Sequence, residues 1–556
     1  MCVRDDVADF RPSMASGMRG EPHAARPLST ADVEFALWLK RSGIRWDGLT
    51  ITRAPGSSVR GSAVLTTQPF DVGEALAVIP KSAVLSIRTA ACAAVLQPLV
   101  TEEGIAPDAA LNVAVAHERM LGVQSRWYTY LRTLPAFEPL PALWPDSVLT
   151  RLLKGTGIDE EARHRRRELQ AEYRQIVRAL RRLGAEDIAD CMSCSSYVHA
   201  ASLTSSRAFY VDAWHGEALV PFADLLNHKS ALVPEGASLE GDGDEGEESN
   251  EEAEEMQQEE EATLHDARVA SVRRREAAHR AALSFGVSLE MDTTLHNLEA
   301  EEGEEEAEDN GHVALVALRP LPAAVECFNT YGEHGNRRLL SDYGFTLKSN
   351  PLDVAELPWR TLLTAASAAV VGGERAVRAR ERELRGHFLC GSLFCELVDG
   401  VFGFDIDGTP PAELLLAMWW LLADPAAAPP WMAVDASTPA ARSPGVVALR
   451  RDALEAARDF LALELARQLL EPPPTPTLAP LRDVLRAAIR AHATSGYSAA
   501  ARAAAAADVS ESCGHRCEDD GLSAMHLAPH VGNLVRSEMR IWEKAEERLA
   551  CLDSTS

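Results

Sequence analysis

The chain has 556 residues, of which 46% are hydrophobic and 25% charged, and its formal net charge is −28. At about 150 residues per domain, a chain of this length is predicted to form two to four domains. Two runs, residues 240–261 with thirteen acids and residues 299–309 with eight, contain no Lys or Arg, and without them the charge is −7. No basic excess remains for binding nucleic acid. The longest apolar run, Leu414–Leu422, is too short to span a bilayer.

The first 90 residues are predicted to form a tail, a helix and small strands. Residues 1–30 mix Pro, Gly, Ser and charges, which predicts a disordered tail. A helical pattern runs from Ala31 to Ser42-Gly43. Short runs of strand type follow, punctuated by Gly, Pro or Asp: Leu49–Thr52, Ala63–Thr67, Ala75–Ile79 and Ala83–Ile87.

Residues 90–200 change to helical periodicity. Leu111 to Leu121 is apolar at helical spacing, and Glu160 to Leu183 is predicted as one long helix rich in Arg and Glu. Strand character returns at Ala208–Val211 and Ala218–Pro221. The pattern therefore predicts a helical insert between two groups of strands.

The interval 229–311 is mostly acidic and of low complexity, which favours solvated loops around one possible strand at Ala282–Met291. Strands are predicted again at His312–Leu318 and Glu326–Thr330. From Pro358 onward the pattern is helical, with the clearest segments at Glu413–Leu422, Val447–Leu470, Leu481–Ala493 and Val531–Leu549. The predicted class is α+β: small sheets split by a helical insert, then an all-α C-terminal domain.

Four local sequences carry the residues suited to chemistry. Taken singly, each fits a turn, a helix cap or a core aromatic, and those interpretations are the more frequent ones. Their order along the chain, with strands around them, is less easily explained in that way. The four are Arg60-Gly61-Ser62-Ala63-Val64, Ser206-Arg207-Ala208-Phe209, Asp224-Leu225-Leu226-Asn227-His228, and Phe328-Asn329-Thr330-Tyr331-Gly332 through Asp342-Tyr343-Gly344-Phe345.

Together these motifs resemble the SET-domain methyltransferases, in the branch of the Rubisco large-subunit methyltransferase. The resemblance implies a SET fold with a pseudoknot at residues 31–348, a helical insert at about 90–200 and an acidic insert at about 229–311. It also implies a helical substrate-binding domain at 349–556. The activity implied is methyl transfer from S-adenosylmethionine to a lysine of a protein substrate, without a metal.

The resemblance also assigns roles to individual residues. Tyr331 is the implied catalytic tyrosine and also contacts the cofactor, and Tyr343 is the second wall of the lysine channel, catalytic and in contact with the substrate. The implied cofactor contacts are Gly61, Ser62, Ala63, Asn227 and His228, and the implied substrate-side residues are Arg207 and Asp224. Rigid aromatic walls suit this chemistry because desolvation disfavours the charged form of lysine, whose ordinary pKa is about 10.4.

The chain departs from the family pattern in several places. The second glycine of the early Gly-x-Gly turn is Ala63, and Ala324-Val325 replaces the usual Gly-Glu before the late strand. Ala63 is tolerated only if its φ is negative. Val211 stands where a basic residue is usual, and a tyrosine often found after the Asn-His pair has no match. These departures concern substrate choice more than methyl transfer.

Two alternatives to lysine methylation stay open at this stage. One is a histidine methyltransferase of the same fold, since one relative of this branch modifies histidine in actin. The other is a catalytically inactive SET scaffold that binds basic proteins through its acidic segments. We expect a monomeric intracellular protein of cytoplasm or nucleus, with the plastid left open, and no membrane or nucleic-acid partner. The close cysteine pairs lack the spacing of a structural zinc site.

Overall fold

A computed structural model describes residues 30–52, 62–229, 287–291, 311–386, 401–422, 479–506 and 524–550. Of the predicted tail at 1–30, only Thr30 is described, as the first residue of a helix; the predicted helix at Val447–Leu470 and both acidic runs lie outside the described residues. In the described segments, no helix combines the length and apolar character that crossing a membrane requires.

The N-terminal part forms one helix and short strands, as the sequence predicts. The Gly, Pro and Asp residues between the apolar runs keep each strand to six residues or fewer. The elements are α1 (Thr30–Arg41), β1 (Leu49–Thr52), β2 (Ala63–Thr66), β3 (Ala75–Pro80) and β4 (Leu85–Ser86). Strands β1 and β2 pair antiparallel, with Thr52 opposite Ala63.

The predicted insert is helical, and strands resume after it. Its longest helix has a stripe of buried apolar side chains between charged faces, which explains why so polar a sequence folds as one helix. The helices are α2 (Ala93–Thr101), α3 (Pro107–Leu121), α4 (Tyr128–Leu131), α5 (Asp146–Leu153), α6 (Ile158–Arg182), α7 (Glu186–Cys191) and α8 (Cys194–Arg207). Strands β5 (Ala208–Asp212) and β6 (Gly216–Leu219) follow, in the order β4-β6-β5.

A five-stranded sheet brings distant segments of the described chain together. Its strands are β7 (Asn227–His228), β8 (Val287–Met291), β9 (His312–Ala317) and β10 (Phe328–Asn329), with β3 at one edge. The order is β3-β9-β8-β10-β7, so β7 and β10 lie side by side at the other edge. Strand β9 alternates exposed or half-buried with buried residues, so one face of this sheet covers the core.

The C-terminal part is mainly helical, but the all-α prediction is wrong in one detail. Ala355–Pro358 (β11) and Val401–Phe404 (β12) form a two-stranded antiparallel sheet. The alternation Ala-Glu-Leu-Pro buries Ala355 and Leu357, a period of two that the helical patterns around it conceal. The helices are α9 (Asn336–Arg338), α10 (Trp359–Ala369), α11 (Gly373–Gly386), α12 (Ala412–Leu422), α13 (Ala479–Ala491), α14 (Ala499–Ala506) and α15 (Ala524–Ala550).

Two clusters of buried apolar side chains stabilise these elements. The first joins α1, the small sheets and most of the insert. The second joins the C-terminal helices to α5, the start of α6 and Leu340. The second core therefore takes residues from both sides of the predicted boundary at residue 349. The helical insert is the element that both cores share.

Candidate active site

The segment that ends in His228 and the segment that begins at Phe328 lie side by side. Strand β7 pairs with β10 in parallel, with Asn227 opposite Phe328 and His228 opposite Asn329. The backbone N–H of Lys229 extends the ladder by donating to Asn329 O at 3.0 Å. The predicted meeting of these two motifs is confirmed.

The side chain of Asn227 ties the early turn to this pair of strands. Its amide nitrogen donates to Ser62 O at 3.0 Å and to Glu326 Oε1 at 2.7 Å. Burial raises the pKa of Glu326, and the hydrogen bond from Asn227 opposes that rise. Ser62 precedes β2, so three segments far apart in sequence meet at one half-buried amide. Gly61 lies outside the described residues.

His228 is buried and holds the backbone of Tyr331. The N–H of Tyr331 donates to His228 Nδ1 at 3.0 Å, so in the neutral imidazole the proton resides on Nε2. The hydroxyl of Tyr331 donates to Leu226 O at 2.8 Å. Backbone and side chain of the predicted catalytic tyrosine are therefore both fixed to the segment that carries Asn227.

Four rings form what we term the aromatic cluster: His228, Tyr331, Tyr343 and Phe345. Tyr331 and Tyr343 stack with centroids 5.1 Å apart at 26°, and His228 lies 5.1 Å from Tyr331. Phe345 packs edge-on to both tyrosines. The hydroxyl of Tyr343 donates to Tyr331 O at 3.2 Å. Both tyrosines are half-buried, so the cluster presents two aromatic walls beside the strand pair.

Arg207 and Asp224 form a buried ionic network beneath β7. Arg207 is 6% exposed; its Nε donates to Glu138 Oε1 at 2.7 Å and its Nη1 to Asp224 Oδ2 at 3.4 Å. The hydroxyl of Tyr130 donates to the same Asp224 oxygen at 2.9 Å. Burial alone would lower the pKa of Arg207, but the two carboxylates outweigh it and raise that pKa. The network anchors α8 to the turn that leads into Asn227.

The departures from the family pattern have clear local outcomes. In the described residues, Phe222 and Ala324 are the non-glycine residues with positive φ. Ala63 is not one of them, so its backbone conformation does not require glycine. Ala324, which replaces a usual glycine, has a φ of +64° and is strained. Val211 is fully buried in β5, so its side chain does not face a substrate.

Some residues around the site had no role in the sequence interpretation. Glu138 pairs with Arg207 across 69 residues, and no local pattern indicates that pairing. Phe345 belongs to the quoted Tyr-Gly-Phe motif, which was the available signal for its place in the aromatic cluster. Glu326, the acceptor for Asn227, directly precedes Cys327 and β10, and an acid before a strand is too common to be informative.

Sequence comparison places lysine methyltransferases among the relatives of this chain. Human N-lysine methyltransferase SETD6 is 24% identical over 413 residues, covering 66% of this chain and 71% of that protein. Ribosomal lysine N-methyltransferase 3 of Saccharomyces cerevisiae is 27% identical over 333 residues, covering 54% of this chain and 59% of that protein, less than two thirds of its length. No family sequence profile matches the chain.

Solved structures of similar fold align with most of this chain. The SET domain of LSMT bound to lysine and AdoHcy has a TM-score of 0.53 at 13% identity, covering 95% of this chain and 92% of that one. Rubisco LSMT bound to AdoMet has a TM-score of 0.52 at 12% identity, covering 94% and 92%. At such identities the likeness concerns the fold, and it confirms the predicted α+β architecture.

Proposed function

We propose that this chain, which belongs to the SET-domain proteins of the Rubisco large-subunit methyltransferase branch, is an S-adenosylmethionine-dependent protein-lysine N-methyltransferase. The observation that carries the proposal is the meeting of Asn227, His228, Tyr331 and Tyr343 around one edge of the sheet. The relatives named as lysine methyltransferases and the LSMT structures support the same activity.

The residues at this edge fit S-adenosylmethionine, whose sulfur is positively charged. The aromatic cluster offers ring faces, which attract a cation, and the adjoining backbone offers the carbonyl oxygens of Leu226 and Tyr331. The groups we propose as contacts are Ser62 and Ala63 by backbone, Asn227 and His228 by backbone and side chain, Tyr331 by its ring, and Gly61. When bound, S-adenosylmethionine supplies an electrophilic methyl group.

The protein's own task is to present a neutral amine in a fixed direction. A lysine lying alongside the stacked pair Tyr331 and Tyr343, whose rings are too close together to admit it between them, would be shielded from water by both rings, and desolvation lowers the pKa of an ammonium group. Fixing the angle of approach can supply several kcal/mol of the barrier lowering, since alignment dominates this kind of displacement. The fixed hydroxyl of Tyr331 leaves its ring one orientation.

We propose that Arg207 and Asp224 line the substrate side, although their burial limits how much of either residue a substrate can contact. Because Asp224 is 2% exposed and bonded to Tyr130, its carboxylate shapes the channel base and does not form an open docking site. We propose a protein partner that bears the target lysine. Monomeric state, cytoplasmic or nuclear compartment and the boundaries at residues 31, 348 and 349 stay predictions.

The test combines cofactor binding with methyl transfer to a proteome. The wild-type protein should bind S-adenosylmethionine in calorimetry and transfer labelled methyl to lysines mapped by mass spectrometry. Tyr331→Phe should bind the cofactor within about 3-fold and lose roughly 100-fold in turnover, because the ring loses its anchor at Leu226. Tyr128→Phe, at an exposed tyrosine of α4, is the matched control and should stay active.

Each outcome distinguishes the candidates. Label on histidine instead of lysine would replace the proposal with the histidine alternative. Cofactor binding without label on any protein would support the inactive scaffold. Loss of cofactor binding in Tyr331→Phe together with turnover would remove the assigned role of that hydroxyl, since a structural defect would then explain both.

A further inference from the structure

Arg337 is a buried cation between the two tyrosines in sequence. It lies in α9, its side chain is 10% exposed, and its Nη2 lies 2.6 Å from Glu161 Oε1 and 2.8 Å from Glu356 Oε2. Its Nη1 donates to the carbonyl oxygen of Thr156. A guanidinium can reach three acceptors on different segments at once because its donors form a rigid planar fork.

The partners of Arg337 belong to different parts of the fold. Glu161 lies in the first turns of α6 in the helical insert, and Glu356 lies in β11 of the C-terminal part. Glu538 of α15 is fully buried and is a further acid that acts on Arg337 electrostatically. Gly157 lets the backbone of the insert approach, since a Cβ there would lie 2.9 Å from Nη2 of Arg337.

The preceding residue, Asn336, holds the same segment from the other side. Its backbone N–H and its amide nitrogen donate to the two oxygens of Asp353, at 2.5 and 2.8 Å. Its side chain also exchanges hydrogen bonds with the backbone of Leu347. The hydroxyl of Ser537 on α15 donates to Asp353. Residues 336 and 337 therefore join the insert, β11 and α15 at one point.

This point lies six to seven residues before Tyr343. The chain passes directly from α9 into the π-helical turn Leu339–Tyr343, whose Leu339 and Leu340 are fully buried. Tyr343 then meets Tyr331 by stacking and through its hydroxyl. A shift of α9 relative to α6 or α15 would therefore be carried to the distance between the two tyrosines, because the buried leucines leave the turn little freedom to absorb it.

We propose that Arg337 is a positioning residue, which fixes Tyr343 against Tyr331 by clamping α9 between the helical insert and the C-terminal helices. The catalytic part of this inference rests on the proposed methyltransferase function. The clamp also couples the C-terminal part to the aromatic cluster. A protein substrate that moves β11 on binding would act on Tyr343 through Glu356 and Arg337, and one that moves α15 would act through Ser537, Asp353 and Asn336.

The experiment compares substitutions at Arg337 with a matched control. Arg337→Met keeps the apolar stem and removes the fork, and Arg337→Lys keeps the charge with fewer donors. Arg360→Met is the control, because Arg360 is 75% exposed and also bridges α6 and the C-terminal part, to Glu160 at 3.8 Å. Each full-length variant is measured for hydrogen–deuterium exchange of residues 339–345, S-adenosylmethionine affinity, and kcat and KM on the methylated protein.

We expect Arg337→Met to raise exchange at residues 339–345 and to lower kcat by about 10- to 100-fold with cofactor affinity changed less than 3-fold. Arg337→Lys should recover part of both effects, and Arg360→Met should resemble wild type. Unchanged exchange and kcat in Arg337→Met would overturn the proposal. So would equal losses in Arg337→Met and Arg360→Met, because the effect would then not be specific to the clamp.

Two further readouts keep the result decisive. If Arg337→Met does not fold, Glu161→Gln removes one arm at a position whose side chain is 56% exposed, and the same exchange pattern is expected at smaller amplitude. Normal exchange in that variant would count against the clamp. If the wild-type protein methylates nothing, the proposed function fails, while the exchange measurement still decides whether Arg337 holds Tyr343.

Discussion

Replacing Ala324 by glycine should stabilise the protein, although the substitution removes a methyl group and touches no site residue. Ala324 has a φ of +64° in an exposed turn that precedes β10. Its N–H donates to Thr66 O at 2.8 Å, and the next N–H donates to Thr66 Oγ1 at 3.0 Å, so the backbone cannot relax without losing both bonds.

The expected size follows from two opposing contributions. A left-handed backbone costs an L-residue about 1–2 kcal/mol, and glycine escapes that cost. Glycine also leaves the unfolded chain freer, which costs about 0.5–1 kcal/mol. The net gain in the free energy of unfolding is therefore about 0.5–1 kcal/mol, or a rise in Tm of about 1–3 °C for a domain of this size.

The assay is thermal and urea unfolding of the two variants Ala324→Gly and Ala323→Gly beside wild type. Ala323 is exposed in the same turn without a positive φ, so its replacement should lower stability by about 0.5–1 kcal/mol. A midpoint for Ala324→Gly at or below wild type would refute the reasoning. A rise in both variants would also refute it, since strain at one residue could not explain it.

Three further predictions test other parts of the fold. Gly155→Ala should destabilise by about 2–5 kcal/mol in urea unfolding, because φ is +97° and the new Cβ would lie 1.8 Å from Gly496 O. Burial raises the pKa of Glu538 from 4.5 to about 8, so the free energy of unfolding of the wild-type protein should fall as the pH rises from about 4.5 through about 8. The free energy of unfolding of Glu538→Gln should fall less over that range. Equal pH dependences of the two proteins would contradict this prediction. Maleimide at neutral pH should label exposed Cys191 well before Cys327, whose pKa burial raises to about 12; peptide mapping measures the order.

The local pattern of apolar and polar residues predicted those elements in which buried and exposed side chains alternate regularly. The strand at Leu49–Thr52 was placed at its observed bounds, and the long helix was placed within two residues, Glu160–Leu183 against Ile158–Arg182. The strand Val401–Phe404 was missed, since it is short and its partner Ala355–Pro358 lies about 45 residues earlier. Pairings of that kind depend on tertiary contacts that a single sequence does not encode locally.

In the candidate site too, the residues of local motifs were predicted and their long-range partners were not. Asn227, His228, Tyr331 and Tyr343 were found because they stand in compact motifs, and the structure brings all four together. Their anchors were not found from the sequence. Glu138 and the hydrogen-bonded partners of Arg337 come from elements up to 181 residues away, and buried charges select such partners by three-dimensional proximity alone.

The parallel register between β7 and β10 closes a loop of about 100 residues. Strands β8 and β9 lie inside that span and pair with β10 and with each other, so the separation that remains to be closed runs from Lys229 to Val287. The entropic cost of loop closure grows only with the logarithm of the loop length, and each doubling costs about 0.6 kcal/mol. An insertion of a few residues between Lys229 and Val287 should therefore leave the pairing of β7 with β10 intact.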